Sequence, residues 1–240
     1  DGGAPAPKKR TNERELPQTE EALNPDQRAA VEAQAPTVAV VAGPGAGKTK
    51  TLVSRIAWLV EQGARPGTIT AVTFTNKAAA ELRERLEARL GKRRARAMTI
   101  GTFHSICLTL LRGELGVRRL ADPYEQRALA ASVLAGLGRK DSPGKLLQTV
   151  SRAKTSGRPT EEAAVERYQE RLTGAGLLDF DDLLLETLSR WEGGRTDARF
   201  THLLVDEFQD INDLQYRLIQ AWADKSASLF VIGDPDQSDW

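Results

Sequence analysis

The sequence predicts an α/β fold in which helices flank a parallel sheet and an all-helical subdomain is inserted into it. Three observations support this prediction. Strand and helix patterns alternate between residues 38 and 111, only helical patterns occur between residues 112 and 195, and strand patterns return after residue 196. Alternating strands and helices are typical of parallel sheets with right-handed crossovers. A block of helices within that alternation indicates an insertion.

Each predicted element has its own local signal. Asn24 and Pro25 suit an N-cap and a first helical turn, so a helix should run to about Ala33. Strands are expected at residues 38–41, 69–74, 98–102, 203–205 and 229–232. Helices are expected between them at residues 49–62, at 77–90, after residues 103–105 and at 213–223. In the insertion the apolar spacing favours helices at residues 125–134, 145–154, 161–172 and 181–191.

These elements suggest a domain organisation. Residues 22–111 and 196–240 form the two parts of the sheet domain, and residues 112–195 form the helical insertion. Residues 1–21 combine Gly, Ala, Pro, Lys and Glu with few apolar side chains, which is typical of a linker or disordered arm. The first residue is Asp1 and the single methionine is Met98, so we expect the chain to be part of a longer protein.

Composition argues against a strongly basic protein, a disulfide-stabilised protein and a membrane-spanning protein. A chain of 240 residues can bury a substantial core, and its net charge of +1 excludes a strong overall basic field. Contact with nucleic acid would then depend on backbone and polar groups or on local patches such as residues 92–96, a basic run that we interpret as a solvated loop. The single cysteine, Cys107, excludes an internal disulfide. No apolar run approaches about 18 residues and the N-terminus is polar, so we expect a cytoplasmic protein without a membrane span.

A glycine-rich turn follows the first strand, whose four apolar residues suit burial on both faces. Residues 42–49 match the phosphate-loop pattern G-x-x-x-x-G-K-[ST], except that Ala42 replaces the first glycine. Lys48 can reach the β- and γ-phosphates, and the Thr49 hydroxyl can bind Mg²⁺. The turn predicts a nucleoside triphosphate site, with an ordinary Gly-rich turn as the alternative. Its candidate binding residues are Gly43, Gly45, Ala46, Gly47, Lys48 and Thr49.

Two adjacent carboxylates end a later apolar strand. Asp206 and Glu207 directly follow residues 203–205. In enzymes with a phosphate loop, an acid at this position holds Mg²⁺ and a neighbouring carboxylate can accept a proton from the attacking water. We therefore interpret Asp206 as a metal ligand and Glu207 as the general base. A solvated strand end is the alternative for the two acids taken alone.

Taken in order, these motifs resemble the first RecA-like half of superfamily 1 DNA helicases of the UvrD/Rep/PcrA group, with its helical insertion. The resemblance spans residues 23–237 and rests on segments at 23–27, 42–51, 73–79, 101–105, 178–184, 206–210 and 233–238. It implies an ATP-dependent 3′ to 5′ helicase that uses Mg²⁺. It also implies single-stranded and 3′-tailed duplex DNA as partners, and a second RecA-like domain of the same protein that supplies catalytic arginines.

The resemblance also assigns roles to single residues. It implies that the Gln27 amide reads adenine, that Lys50 lies at the nucleotide where the family usually has Arg, and that Gln237 senses the γ-phosphate beside the catalytic Lys48 and Glu207. The implied DNA-binding residues are Phe74, Thr75, Asn76, Thr102, Phe103 and His104. Aromatic rings at strand ends can pack against bases or sugars, and the polar groups can bind phosphate. Core packing is the alternative for both phenylalanines, and backbone hydrogen bonding for His104.

The sequence also departs from the family. Asp210, Ile211 and Asn212 stand where Asp-Thr-Asn is common, and the chain ends at Ser238, Asp239 and Trp240 where the family continues to an aromatic residue and Arg. Two other functions stay open. One is an ATP sensor that binds nucleic acid without unwinding it. The other is a phosphate-loop kinase for a small molecule, which would need a lid and an acceptor pocket in place of residues 103–105.

Overall fold

The computed structural model describes residues 23–43, 47–158, 160–195 and 200–234. The predicted arm at residues 1–21 lies outside the described residues, as do Gly45, Ala46, Gln237 and the chain end after residue 234. None of the helices in these described ranges combines the length and the hydrophobicity of a transmembrane span.

A five-stranded parallel sheet forms the centre of the molecule. Its strands, in spatial order, are β1 (Thr37–Val41), β7 (Ser228–Gly233), β6 (His202–Val205), β2 (Ile69–Thr73) and β3 (Thr99–Thr102). Val41 lies opposite Gly233, and Val205 lies opposite both Val231 and Val72. Because every pair is parallel, all the carboxyl ends lie along one edge. The predicted α/β fold with a parallel sheet is confirmed.

Ten α-helices lie in the described part of the chain. They are α1 (Pro25–Val31), α2 (Lys48–Glu61), α3 (Asn76–Leu90), α4 (Lys92–Ala97), α5 (Phe103–Leu110), α6 (Pro123–Gly136), α7 (Pro143–Ser156), α8 (Ala163–Gly174), α9 (Phe180–Glu192) and α10 (Asp213–Ala223). Capping boxes fix the first residues of α1, α6, α9 and α10, with Asn24, Asp122, Asp179 and Asn212 as the N-caps. These local signals explain why most helices begin close to where the sequence predicts.

Apolar side chains pack in three clusters. On one face of the sheet, α2 and α3 bury Ile56, Leu82 and Leu86 against strand residues. The other face packs against α5, α9 and α10, whose cluster is centred on Trp222. Helices α6, α7 and α8 share a separate core around Tyr168. Helix α9 lies within residues 112–195, yet it shares its core with the sheet. The domain boundaries predicted from sequence stay a prediction.

The structure corrects three sequence predictions about secondary structure and strand burial. Strand β1 is not buried on both faces, because it lies at the edge of the sheet, where Val38 is buried and Val41 is 76% exposed. Residues 92–97 form helix α4 rather than a loop, since the fully buried Ala95 anchors them to the core. Residues 112–195 are not purely helical. Two short parallel strands, β4 (Arg119–Leu120) and β5 (Leu177–Leu178), pair there and are too short to give a pattern.

Candidate active site

The candidate residues are distributed along the carboxyl edge of the sheet, where ligands bind in open parallel sheets. The phosphate loop follows β1, and its neighbour β7 ends next to Asp234. Asp206 and Glu207 follow the central strand β6. The predicted DNA-binding residues follow β2 and β3, on the far side of β6. Strand order therefore places the two acids between the predicted nucleotide residues and the predicted DNA residues.

The phosphate loop ends in a helix start that is suited to an anion. Gly47, the N-cap of α2, has a φ of 69°, a left-handed conformation that glycine adopts without strain. As a glycine, this N-cap has no side chain that could cap the first turn of α2. The N–H groups of that turn can therefore donate to phosphate oxygens, assisted by the helix dipole. The base of the loop is tied to β7, because the Ala42 N–H donates to the carbonyl oxygen of Gly233 at 2.9 Å.

An ion pair joins the end of the phosphate loop to the acids that follow β6. Nζ of Lys48 lies 2.6 Å from Oε1 of Glu207, and the two side chains are only 15% and 28% exposed. Glu207 has a φ of 53° and is the one non-glycine residue with positive φ among the described residues. Such left-handed conformations cost energy and are concentrated at functional sites. The structure thus brings the predicted phosphate-binding cation and the predicted base into direct contact.

Asp206 lies beneath this pair. Its Oδ1 accepts a hydrogen bond of 2.8 Å from the Glu207 N–H, and its own N–H donates to the carbonyl oxygen of Val72 at 3.0 Å. Burial, followed by the negative charge of Glu207, raises the pKa of Asp206. A bound cation would favour the charged carboxylate. Thr49, half-buried in the first turn of α2, supplies a hydroxyl next to Lys48. These donors fit the preference of Mg²⁺ for oxygen ligands.

Gln209 links the acids to strand β7, a role that we did not assign from sequence. Its Nε2 donates to Oε2 of Glu207 at 2.6 Å, and its Oε1 accepts a hydrogen bond of 3.0 Å from the Asp234 N–H. A Cβ added to Gly233 would lie 2.4 Å from that Oε1, so a side chain there would displace the amide. The Glu207 carboxylate is therefore held from both sides, by Lys48 and by Gln209.

The predicted adenine reader lies beside the phosphate loop. Oε1 of Gln27 accepts a hydrogen bond of 3.0 Å from the Asn24 N–H, which completes the capping box of α1. A Cβ added to Gly47 would lie 3.7 Å from Nε2 of Gln27 and 3.6 Å from Cβ of Lys50. Gln27 and Lys50 thus both border the last glycine of the loop, as binding of one nucleotide requires.

The candidate DNA-binding residues differ in exposure. Thr75 and Asn76 are exposed after β2, and Phe74, Thr102 and His104 are half-buried. Oγ1 of Thr75 accepts from the Ala78 N–H at 3.0 Å, so the hydroxyl caps α3. Thr102 caps α5 in the same way, with a hydrogen bond of 3.2 Å from the Ser105 N–H. Both threonines therefore have a structural task at the edge where we predict DNA.

Phe103 lies inside the protein. Its side chain is 2% exposed, and its ring packs edge-on against Phe74 at 5.9 Å and stacks on Trp222 at 6.1 Å. A ring with so little exposed area offers no face to a base. The structure corrects the DNA-binding assignment of Phe103 in favour of the core-packing alternative, and Phe103 instead supports the Phe74 ring.

Phe180 joins this edge from the start of α9, and sequence reasoning assigned it no role. Its half-buried ring lies 5.1 Å from the ring of His104. Burial lowers the pKa of His104, which favours the neutral imidazole at physiological pH. His104 can then donate one hydrogen bond to a phosphate without forming an ion pair.

Comparison with known proteins agrees with this geometry. A family model described as UvrD/REP helicase N-terminal domain matches residues 23–122 and 121–239. The chain is 36% identical to "ATP-dependent DNA helicase UvrD1" of Mycobacterium tuberculosis, over 90% of this chain and 33% of that protein. It is 35% identical to "ATP-dependent DNA helicase Rep" of Escherichia coli, over 90% of this chain and 36% of that protein.

A third relative is "ATP-dependent DNA helicase PcrA" of Staphylococcus epidermidis, which is 33% identical over 90% of this chain and 34% of that protein. The chain thus spans about a third of the length of these curated relatives. The family match covers most of the chain and includes the phosphate loop, the acids after β6 and the start of the segment after β7. The chain therefore belongs to the UvrD/REP helicase N-terminal domain family.

Proposed function

We propose that this chain is the N-terminal motor part of an ATP-dependent DNA helicase, which couples ATP hydrolysis to movement along single-stranded DNA and to duplex unwinding. The observation that carries the proposal is the contact between Lys48 and Glu207, because it joins the phosphate loop to a carboxylate suited to act as the base. The names of the relatives support the use of ATP and DNA. The 3′ to 5′ direction rests on family resemblance alone.

In the proposed mechanism, ATP binds with its phosphates at the start of α2 and its adenine beside Gln27. Lys48 would neutralise the β- and γ-phosphates, and Thr49 and Asp206 would hold Mg²⁺, which supplies positive charge to the phosphates. Glu207 can accept a proton from the attacking water only after its ion pair with Lys48 has broken. Binding of ATP would cause that release, because the γ-phosphate competes with Glu207 for Lys48. Gln237, outside the described residues, is the proposed γ-phosphate sensor.

The DNA-binding edge would lie at the carboxyl ends of β2 and β3, next to β6 and the two acids that follow it. Phe74 offers a half-buried ring for a base or sugar, while Thr75, Asn76, Thr102 and His104 offer polar groups for phosphate. Such contacts are independent of base sequence. Strand β6 is the direct neighbour of β2, which Phe74 follows. A shift of Asp206 and Glu207 on hydrolysis could therefore move Phe74 through contacts between adjacent strands.

A second RecA-like domain in the whole protein would complete the motor. Arginines from that domain would stabilise the γ-phosphate transition state, a contribution of roughly 10³-fold or more in rate. We therefore expect the 240-residue chain to bind ATP, to hydrolyse it very slowly and not to unwind a 3′-tailed duplex. Its binding of single-stranded DNA should be weak and should decrease further with salt.

The test compares the chain with the full-length gene product. We expect the full-length protein to show DNA-stimulated ATP hydrolysis and unwinding, and addition of the second half to the chain should restore the hydrolysis. DNA-stimulated hydrolysis without unwinding would favour the ATP sensor. Hydrolysis that DNA does not affect would favour the small-molecule kinase. Unwinding by the chain alone, absent from a matched Lys48→Ala preparation, would contradict the two-domain proposal.

A further inference from the structure

Arg55 is a buried cation in the helix that follows the phosphate loop. Its side chain is 1% exposed, and it makes no ion pair within the described residues. Its Nη1 donates hydrogen bonds of 2.9 Å to the carbonyl oxygen of Val31 and 2.6 Å to that of Ala33. The guanidinium carbon also lies 4.8 Å from the ring centroid of Trp58 and 5.3 Å from that of Phe230.

Burial of this charge is costly, and the cost needs a structural reason. Desolvation disfavours a buried cation, and burial lowers the pKa of Arg55 accordingly. An apolar side chain would fill the same volume in the core without that penalty. What an apolar side chain cannot supply is a pair of hydrogen bonds to the carbonyl oxygens of Val31 and Ala33. The role of Arg55 therefore concerns α1, the helix whose C-terminal end these carbonyl groups mark.

That segment is α1, which has only seven residues and would be marginal alone. Its last carbonyl groups have no partner within the helix. Arg55 caps this end from α2, since Val31 is the last residue of α1 and Ala33 lies just beyond the C-cap Glu32. Gln27 lies one turn earlier on the same short helix, with its side chain beside Gly47. One side chain of the phosphate-loop helix thus anchors the helix that carries the candidate adenine reader.

We propose that Arg55 is a positioning residue for nucleotide specificity, which holds α1 so that the Gln27 amide lies at a fixed distance from the phosphate loop. This inference rests on the proposed binding of ATP at that loop and on the proposed role of Gln27. Arg55 is 1% exposed, so it is too deeply buried to contact a nucleotide at the loop. Loss of its hydrogen bonds should therefore affect recognition of the base, and leave the phosphate contacts made by α2 unchanged.

The experiment measures the dissociation constants of the 240-residue chain for ATP, GTP and inorganic tripolyphosphate, each with Mg²⁺. The parent is compared with Gln27→Ala, Arg55→Met and Arg55→Lys, and with Arg65→Met as the control for an exposed arginine. We expect the parent and Arg65→Met to prefer ATP over GTP, and Gln27→Ala to lose the preference. Arg55→Met should reduce the preference by about tenfold, equivalent to about 1.4 kcal/mol, with unchanged affinity for tripolyphosphate. Arg55→Lys, which keeps a cationic donor group but lacks the planar guanidinium, should be intermediate.

Two results would overturn the inference. In the first, both Arg55 variants lower the affinities for ATP, GTP and tripolyphosphate by one common factor, which indicates a general loss of structure. In the second, both variants keep the parental preference while Gln27→Ala loses it. If Arg55→Met does not fold, Arg55→Lys decides between the outcomes, together with amide hydrogen exchange in α1, which should be faster than in the parent.

Failure of the underlying function would look different. A parent chain that binds neither ATP nor tripolyphosphate would contradict the nucleotide site itself. A parent that binds both but does not distinguish ATP from GTP, or whose preference survives Gln27→Ala, would contradict adenine reading by Gln27 and this inference with it.

Discussion

Nζ of Lys48 lies 2.6 Å from Oε1 of Glu207, so the proposed phosphate-binding cation and the proposed base are in direct contact. In the proposed mechanism, each group takes up its catalytic task only when the other is displaced. A γ-phosphate would provide the displacing charge, since phosphate competes directly for Lys48. Binding of ATP and release of the base would then be a single event.

The first prediction concerns Lys48. Lys48→Ala should weaken binding of ATP with Mg²⁺ by about 10- to 100-fold, because hydrogen bonds to charged groups contribute about 1.5–3 kcal/mol. Isothermal titration calorimetry on the 240-residue chain measures the change. The control is Lys92→Ala, which removes an exposed lysine of α4 and should bind ATP as the parent does. Equal affinities of Lys48→Ala and the parent would contradict the phosphate-loop assignment.

The second prediction concerns Gln209. Gln209→Leu has a similar volume but cannot hold Glu207 or the Asp234 N–H, so ATP hydrolysis by the full-length protein should fall by about tenfold. The dissociation constant for ATP should change little, since Gln209 makes no contact with the phosphate loop residues described. Gln220→Leu, on the exposed face of α10, is the matched control. A parental turnover number for Gln209→Leu would show that Glu207 is positioned without the amide.

The third prediction separates stability from DNA binding. Phe103→Ala should lower the free energy of unfolding by about 3–5 kcal/mol, because it leaves a cavity between Phe74 and Trp222. Phe74→Ala should cost less stability, since Phe74 is half-buried, and should weaken binding of single-stranded DNA. Urea denaturation and fluorescence anisotropy measure the two effects. If Phe74→Ala binds DNA like the parent, Phe74 belongs only to the core.

The fourth prediction concerns a lysine at the junction of α7 and α9. Nζ of Lys154 lies 2.6 Å from Oδ2 of Asp179 and 2.9 Å from Oδ1 of Asp182, with all three side chains largely buried. Lys154→Met leaves these carboxylates without a cation and should cost about 3–5 kcal/mol of stability at pH 7. Lys145→Met, an exposed substitution on the same helix, should cost little.

The loss in Lys154→Met should depend on pH. Burial already raises the pKa of Asp179 and of Asp181, and removal of the lysine raises the pKa of Asp179 further. Between the pKa of the unfolded chain and the raised pKa, the folded protein binds more protons than the unfolded one. Its stability therefore increases as the pH falls through that window. Urea denaturation at pH 7 and pH 5 should show a smaller deficit at pH 5, and equal deficits would contradict the proposed charge imbalance.

Local signals in the sequence were sufficient for much of the fold. Helix α10 occupies residues 213–223 as predicted, because Asn212 and Gln215 form a capping box that is readable from neighbouring residues. The position of β1 at the sheet edge could not be predicted in this way, since strand order depends on contacts between distant segments. Helix α4 was missed for a similar reason, because burial of Ala95 overrides a run of basic residues that resembles a loop.

The residues of the candidate site also differ in how far they could be predicted from local sequence. The phosphate loop and the acids after β6 are contiguous motifs, so Lys48, Asp206 and Glu207 could be proposed from the sequence alone. Gln209 and Arg55 act through hydrogen bonds to segments more than 20 residues away in sequence, and no local pattern indicates such partners. The burial of Phe103 depends on contact with Trp222, which also belongs to a distant segment of the sequence, so no local pattern indicates it.

The most direct test is ATP hydrolysis by the full-length protein carrying Glu207→Gln, with and without single-stranded DNA. The amide keeps the shape of the side chain but cannot accept the proton, and it releases Lys48 from its ion pair. We predict that this variant binds ATP at least as tightly as the parent and hydrolyses it roughly 10²-fold more slowly, with or without DNA. Hydrolysis by Glu207→Gln at the parental, DNA-stimulated rate would place the base elsewhere and contradict the mechanism.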